Sequence, residues 1–153
     1  VIATLKLSHA IIPNLKNKKT GGIIIVSSVA GFQPLPYMST YSGTKSFGLS
    51  HGLGLHYELE SFGVRVLTVC PGPVATEFGG VARVPGTWAG GKRNSAGNVV
   101  EESLSAFIKN KPFVVPCLKA KLMSLGPRLL PLSFTTCMAG NVLRKVLKLS
   151  REK

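Results

Sequence analysis

Apolar positions along this chain fall into two rhythms. Over 1–19, Val1, Leu5, Ile12 and Leu15 approximate one helical face, and Lys16, Lys18 and Lys19 suit a helix's negative end. The spacing predicts a helix that Pro13 kinks or brings to its last turns, stopped by Thr20-Gly21-Gly22. The unbroken β-branched run Ile23-Ile24-Ile25-Val26 then predicts a strand buried on both faces of a parallel sheet. A loop over 31–36 is stiffened by Pro34 and Pro36. A helix over 41–62 ends at Gly63, and a second strand over 64–70 stops at Pro71-Gly72. Strand, helix and strand in that order make a right-handed βαβ unit. The stretch 79–97, rich in Gly, Pro and small residues, predicts a mobile loop; a helix over 98–110 and a short strand over 113–115 follow. From Leu118 the pattern is helical and basic, broken at Gly126-Pro127. A last helix from about Cys137 gathers Val142, Leu143, Val146 and Leu147 on one face, with Arg144, Lys145, Lys148 and Arg151 around the other. The fold class is α/β, built on a parallel sheet.

Composition narrows the classes. With 153 residues, 44% of them hydrophobic, the chain supports one domain with a real core. No apolar run is long enough for a membrane-spanning helix. The N-terminus has neither an initiator methionine nor the features of a signal peptide, so the chain reads as part of something longer. Three scattered cysteines, Cys70, Cys117 and Cys137, fit no disulfide framework and no metal site, and the expected compartment is reducing and cytoplasmic. The charge is strongly basic, 19 Lys and Arg against 6 acids, for a formal net charge of +13. All the acids are glutamates, and 103–151 contains none, against nine basic residues. That balance suits a solvated basic surface, or attraction to an anionic cofactor, acyl carrier, membrane or nucleic acid.

In open parallel sheets, ligands bind beyond the carboxyl ends of the strands. Ser28 lies just past the first strand, and the turn from Pro71 to Thr76 just past the second. Tyr41 begins the intervening helix at that same edge, and Lys45 stands one turn on, about 6 Å along the axis. The topology therefore brings these residues to one crevice. A free phenol has a pKa of about 10, and a nearby ammonium favours its phenolate. A phenol tuned in this way can exchange a proton with an alcohol or alkoxide, while a serine hydroxyl holds the reacting oxygen. None of these groups stores a hydride, so a redox role requires a cofactor.

The segments Gly22 to Gly31, Tyr41-Ser42-Gly43-Thr44-Lys45 and Pro71-Gly72-Pro73-Val74-Ala75-Thr76 resemble three successive motifs of the short-chain dehydrogenase/reductase family, including the thirteen-residue step from Ser28 to Tyr41. The match runs well to about Phe78 and more loosely beyond; the stretch from Phe32 to Met38 is most similar to a bacterial-type "short-subunit" branch. The resemblance implies a partial Rossmann-like, doubly wound parallel sheet, with 1–153 as the C-terminal catalytic part of one domain and 118–153 as a basic helical tail. It implies an NAD(P)-dependent oxidoreductase that interconverts a carbonyl and an alcohol on a small molecule, with NADP slightly favoured over NAD. Tyr41 would be the acid/base. Lys45 would bind the nicotinamide ribose and lower the tyrosine pKa, and Ser28 would orient the substrate carbonyl. The Val74 backbone and Thr76 would hold the carboxamide, with Pro71 and Gly72 shaping the turn. The stretch 79–97 corresponds to a substrate lid, and helices 1–19 and 41–62 to a homo-oligomer interface. Several features depart from the family pattern. The glycine-rich phosphate turn and the first four strands are missing, and the family's catalytic asparagine would fall one position before Val1. Gly43-Thr44 replaces the more usual Ala-Ser. A chain without the phosphate-binding half is not expected to bind cofactor tightly.

Competing signals are weaker. Gly48, Ser50 and Gly52 match a hydrolase nucleophile elbow, but they fall inside a helix, and a chain without aspartate cannot form a Ser-His-Asp triad. Gly43, Gly48, Gly52 and Gly54 instead predict close packing of that helix. His9, His51 and His56 have no metal-ligand spacing. Cys70 reads as a small apolar residue, and Trp88 as either a substrate contact or simple cover in the loop. The basic tail suits docking on the domain or a partner, with a membrane surface as the alternative; no nucleic-acid motif supports binding there.

Overall fold

The computed structural model describes residues 1–82 and 94–147. Helix α1 (Ile2–Lys18) runs through Pro13 and closes on Lys19, whose left-handed backbone (φ 51°) ends it. Strand β1 (Gly22–Val26) leads through a single 3-10 turn, Val29–Phe32, into α2 (Ser39–Glu60). Strand β2 (Arg65–Val69) follows, then the short α3 (Phe78–Val81), α4 (Ala96–Ile108) capped by the Ser95 hydroxyl, and β3 (Phe113–Val114). Helices α5 (Leu118–Leu129) and α6 (Leu132–Val146) complete the described chain. Trp88 and most of the predicted 79–97 lid, together with Lys148 and Arg151, lie outside the described residues.

The three strands are parallel in the order β1-β2-β3, with Gly22 opposite Arg65 and Val69 opposite Val114. The central strand β2 is buried on both faces. Val66 joins Ile25, Leu55, Leu59 and Val64 under α1 and α2, while Leu67 and Val69 meet Ala106 of α4 on the other side. A third cluster, Leu49, Cys70, Val115 and Ala120, closes the carboxyl end of the sheet. Cys70 is thus the small core residue the pattern predicts.

The prediction of a strand buried on both faces fails for β1. Ile25 is buried, but Ile24 and Val26 are 41% and 64% exposed. β1 is the edge of the described sheet, and on the face of Ile24 and Val26 helix α4 reaches only the Gly22 end, through Phe107. The α1 face also needs correction. Ile12 and Leu15 pack on the Ile25 cluster, whereas Val1 and Leu5 are exposed. Ser8 takes the inward position and shares a 3.0 Å hydrogen bond with His51 Nε2 of α2.

Two further expectations change in the tail. Gly126-Pro127 does not break α5. Pro127 sits in the last turn, where its missing N–H forfeits one bond, and Leu130 N–H still closes on the Gly126 carbonyl at 3.1 Å. The chain turns instead at Leu130-Pro131, so α6 starts five residues before Cys137. On α6, Leu143 is buried and Val146 and Leu147 half-buried, but Val142 is exposed.

The glycines of α2 divide. Gly48 and Gly52 face the sheet; a Cβ on Gly52 would run into the Thr68 hydroxyl, and one on Gly48 would touch Ile25 and Ser27. Gly43 has open space around its Cβ position, and a Cβ on Gly54 would meet only the Glu58 carboxylate, so neither serves close packing.

Candidate active site

Parallel pairing fixes the floor of the site. The β1–β2 ladder continues past the strand ends through Ser27 N–H to the Val69 carbonyl (2.8 Å) and Val29 N–H to the Pro71 carbonyl (3.1 Å). This puts Ser28 beside Pro71. The Ser28 hydroxyl is buried, accepts from Ala30 N–H at 3.2 Å, and donates to the Pro71 carbonyl over a long 3.4 Å. Such a stretched bond is weak, and the hydroxyl proton can turn to a better acceptor.

The first turns of α2 bring the other two groups. Tyr41 and Lys45 share one helix face, with the Lys45 ammonium 5.8 Å from the Tyr41 ring centroid. Lys45 Nζ donates to the Val26 carbonyl at 3.1 Å, which ties it to the end of β1. An ammonium has three donors, so two remain beyond that bond. Burial lowers the Lys45 pKa from its ordinary value, with Cys70 acting in the opposite direction. Tyr41 also meets Phe78, ring centroids 6.2 Å apart, which links it to the segment after β2. Ser28 and Tyr41 make no direct hydrogen bond; Ser28 is tied to Pro71, and Lys45, beside Tyr41, is tied to Val26 two residues before Ser28.

The segment after β2 is held from a distant part of the chain. Val74 pairs with Asn94, Ala75 N–H donates to the Asn94 carbonyl at 2.9 Å, and Asn94 N–H to the Pro73 carbonyl at 3.2 Å. Thr76 is exposed, and its hydroxyl accepts from Phe78 N–H at 3.4 Å. Gly72 has a packing reason: a Cβ there would approach Ala120 of α5 to 3.0 Å.

This donor set suits one end of a nicotinamide nucleotide. The spare Lys45 donors could serve ribose hydroxyls, and the backbone at Val74 with the Thr76 hydroxyl could serve a carboxamide. No glycine-rich turn for a pyrophosphate occurs among the described residues.

Several contributors carry no obvious sequence signal. The Ser27 hydroxyl donates to the Lys45 carbonyl at 2.6 Å, and a Cβ on Gly31 would lie 2.8 Å from that same oxygen. Ser42 accepts from Leu35 N–H at 3.2 Å, pinning the loop before α2. An open cleft of about 660 Å³ lies between Pro36-Tyr37 and α6, with Cys137, Asn141 and Arg144 on its far wall. Arg144 Nη2 donates to Asn141 Oδ1 at 2.9 Å. Tyr37, in left-handed backbone (φ 66°), stands four residues before Tyr41.

Comparison with known proteins bears on the family and the fold. The short chain dehydrogenase family model matches residues 1–83. The very-long-chain 3-oxoacyl-CoA reductase of Anas platyrhynchos is 31% identical over 83 residues, covering 54% of this chain and 27% of the reductase. An uncharacterized oxidoreductase of Staphylococcus saprophyticus is 31% identical over 103 residues, covering 67% of this chain and 42% of its own. A short chain dehydrogenase from Burkholderia cenocepacia, solved in complex with NADP, is 27% identical with a TM-score of 0.74, over 90% of this chain and 54% of its own. The chain thus spans between about a quarter and a half of the proteins it matches. Matched over more than half its length by the family model, with a Rossmann-like parallel sheet, the chain belongs to the short-chain dehydrogenase family of oxidoreductases.

Proposed function

We propose that the full-length protein interconverts a carbonyl and an alcohol with NAD or NADP, using Tyr41, Lys45 and Ser28. One observation carries the reading: the Lys45 ammonium lies 5.8 Å from the Tyr41 ring centroid at the carboxyl edge of a parallel sheet, tied to the strand whose end carries Ser28. Tyr41 Oη gives its proton to the substrate oxygen in reduction and takes it back in oxidation. The Ser28 hydroxyl leaves its long bond to Pro71 and donates to that oxygen, holding the carbon in place. Lys45 keeps positive charge beside the phenol and binds the ribose with its spare donors. Pro71, Gly72, Val74 and Thr76 form the nicotinamide pocket, and the nicotinamide, when bound, supplies or accepts the hydride. NADP is favoured slightly, since the Burkholderia relative was solved with it. The cleft between Pro36-Tyr37 and α6 receives the substrate's distal part, and α1 with α2 forms the contact of a homo-oligomer.

Tyr41→Phe in the full-length protein should reduce turnover by about 10²–10⁴-fold, the usual worth of a general acid or base, and leave NADPH binding largely intact. Unaltered turnover would refute the assignment. A second reading concerns the 153-residue chain by itself: a non-catalytic fragment. The largely uncovered outer face of β1, with Ile24 and Val26 exposed, favours it. Titration of this chain with NADPH checks that reading; it predicts no tight binding, and micromolar affinity would count against it.

A further inference from the structure

Helix α5 is built inside out. Leu118, Leu122, Leu125 and Leu129 recur at steps of four, three and four, so they share one stripe, and they are 71%, 62%, 44% and 79% exposed. The opposite face is small: Ala120 and Ser124 are buried, and Pro127 is half-buried. The orientation is fixed, because Ala120 fills the space that Gly72 leaves open and belongs to the core cluster with Leu49 and Cys70. Rolling the leucines inward would drive a branched side chain into that space. Helix α6 adds Phe134, Met138 and Val142, spaced four apart and each more than half exposed. Exposed apolar rows on two successive helices point to an interaction site.

Charge selects the occupant. At about 100° per residue, Lys119 and Lys121 fall on opposite flanks of the leucine stripe. Lys121 also reaches Glu102 at 3.5 Å, in a pair open to solvent on both sides. The sequence from 103 to 151 holds nine basic residues and no acid. A second copy of the chain is a poor fit, since a two-fold contact sets like basic flanks against each other. Among the described residues no helix is long and apolar enough to cross a membrane. A leucine face bordered by lysines suits a helix lying in the plane of an anionic bilayer, the leucines among acyl chains and the ammonium groups among phosphates.

We infer that α5, extended by the apolar stripe of α6, docks the protein on an anionic lipid surface. This goes beyond the proposed reaction and requires nothing of Tyr41, Lys45 or Ser28.

The test uses the full-length protein with vesicles of phosphatidylcholine, alone or mixed one-to-one with phosphatidylserine. Replacing Leu118, Leu122, Leu125 and Leu129 together with Gln should lower co-sedimentation with the mixed vesicles by at least about tenfold, as loss of buried apolar area demands. An unchanged melting temperature would establish that the variant folds. A local readout covers the case in which it does not fold, or in which another segment also binds lipid. An environment-sensitive fluorophore is placed on Leu125→Cys, with Cys117 and Cys137 replaced by Ser. It should shift to the blue on mixed vesicles and be quenched by lipids labelled in the acyl chain. A fluorophore at 125 that stays in water on bound vesicles overturns the inference. So does equal binding to neutral and anionic vesicles, or a leucine variant that changes oligomeric mass while sedimenting with vesicles as before.

Discussion

Two glycines of α2, nine residues apart, should respond to the same substitution with opposite signs. Gly43→Ala adds a methyl to open space and replaces a poor helix former, so it should stabilise by about 0.5–1 kcal/mol. Gly52→Ala makes the same gain in propensity, but its methyl is directed into Thr68 Oγ1 and lies 3.3 Å from Ile25 Cδ1. Overpacking of this kind costs about 1–3 kcal/mol, so the net effect should be a loss of up to about 2 kcal/mol. Thr68 is fully buried and its hydroxyl has no hydrogen-bond partner among the described residues. Thr68→Ala therefore removes both the obstacle and an unsatisfied polar group, and alone should be near neutral. In the Gly52→Ala background it should restore stability, giving a coupling of about 1 kcal/mol or more in a double-mutant cycle. Thermal melts resolve this, since 1 kcal/mol moves Tm by about 2–4 °C in a domain of this size. If Gly52→Ala raised Tm as Gly43→Ala does, or if the two substitutions were additive within about 0.3 kcal/mol, α2 would not be seated on β2 as described.

Other consequences can be checked alongside. Burial depresses the Lys45 pKa, so its charge destabilises the fold. That penalty is complete below the lowered value and vanishes above 10.5, so the stability difference between wild type and Lys45→Met should shift towards wild type as pH rises through that window. Denaturant melts at neutral and alkaline pH measure it, and a pH-independent difference would contradict the assignment. Lys121→Ala should change stability by less than about 0.5 kcal/mol, because its ion pair with Glu102 is exposed. Glu102→Ala should cost about 1 kcal/mol more, since Glu102 Oε1 also accepts from Cys117 N–H at 3.1 Å, where the backbone is left-handed. Equal effects of the two substitutions would remove that second role.

What the sequence makes legible follows from which neighbours each residue needs. The strand character of 23–26 and 64–70 is local, and both strands form. Burial is not local. β2 has a strand on each side and helices on both faces, whereas β1 has β2 on one side only, so Ile24 and Val26 stay exposed while their ladder partners Leu67 and Val69 are buried. The position of α5 was legible, but its direction was not. Which face of it turns inward is set by Ala120, which packs against Gly72, and no pattern within 118–129 announces that contact. The cleft is invisible for another reason. Pro36-Tyr37 and Arg144 are over a hundred residues apart, and no periodic pattern joins them.

The adjacent pair Ser27-Ser28 explains why the candidate site is more rigid than its separate motifs suggest. Consecutive residues of an extended segment point to opposite sides. Ser28 therefore faces Pro71 at the end of β2, while Ser27 faces α2 and donates to the carbonyl of Lys45. Lys45 in turn donates through its side chain to the Val26 carbonyl, one residue before that pair. The end of β1 and the first turns of α2 are thus tied twice, once through the Lys45 backbone and once through its ammonium. Gly31 admits the close approach, because any side chain there would displace the Lys45 carbonyl. The spacing between the serine and tyrosine motifs is accordingly a mechanical constraint. An insertion between Gly31 and Tyr41 could be absorbed only by the loop before Ser42, whereas a shift of a single residue at Ser27 would break both ties together.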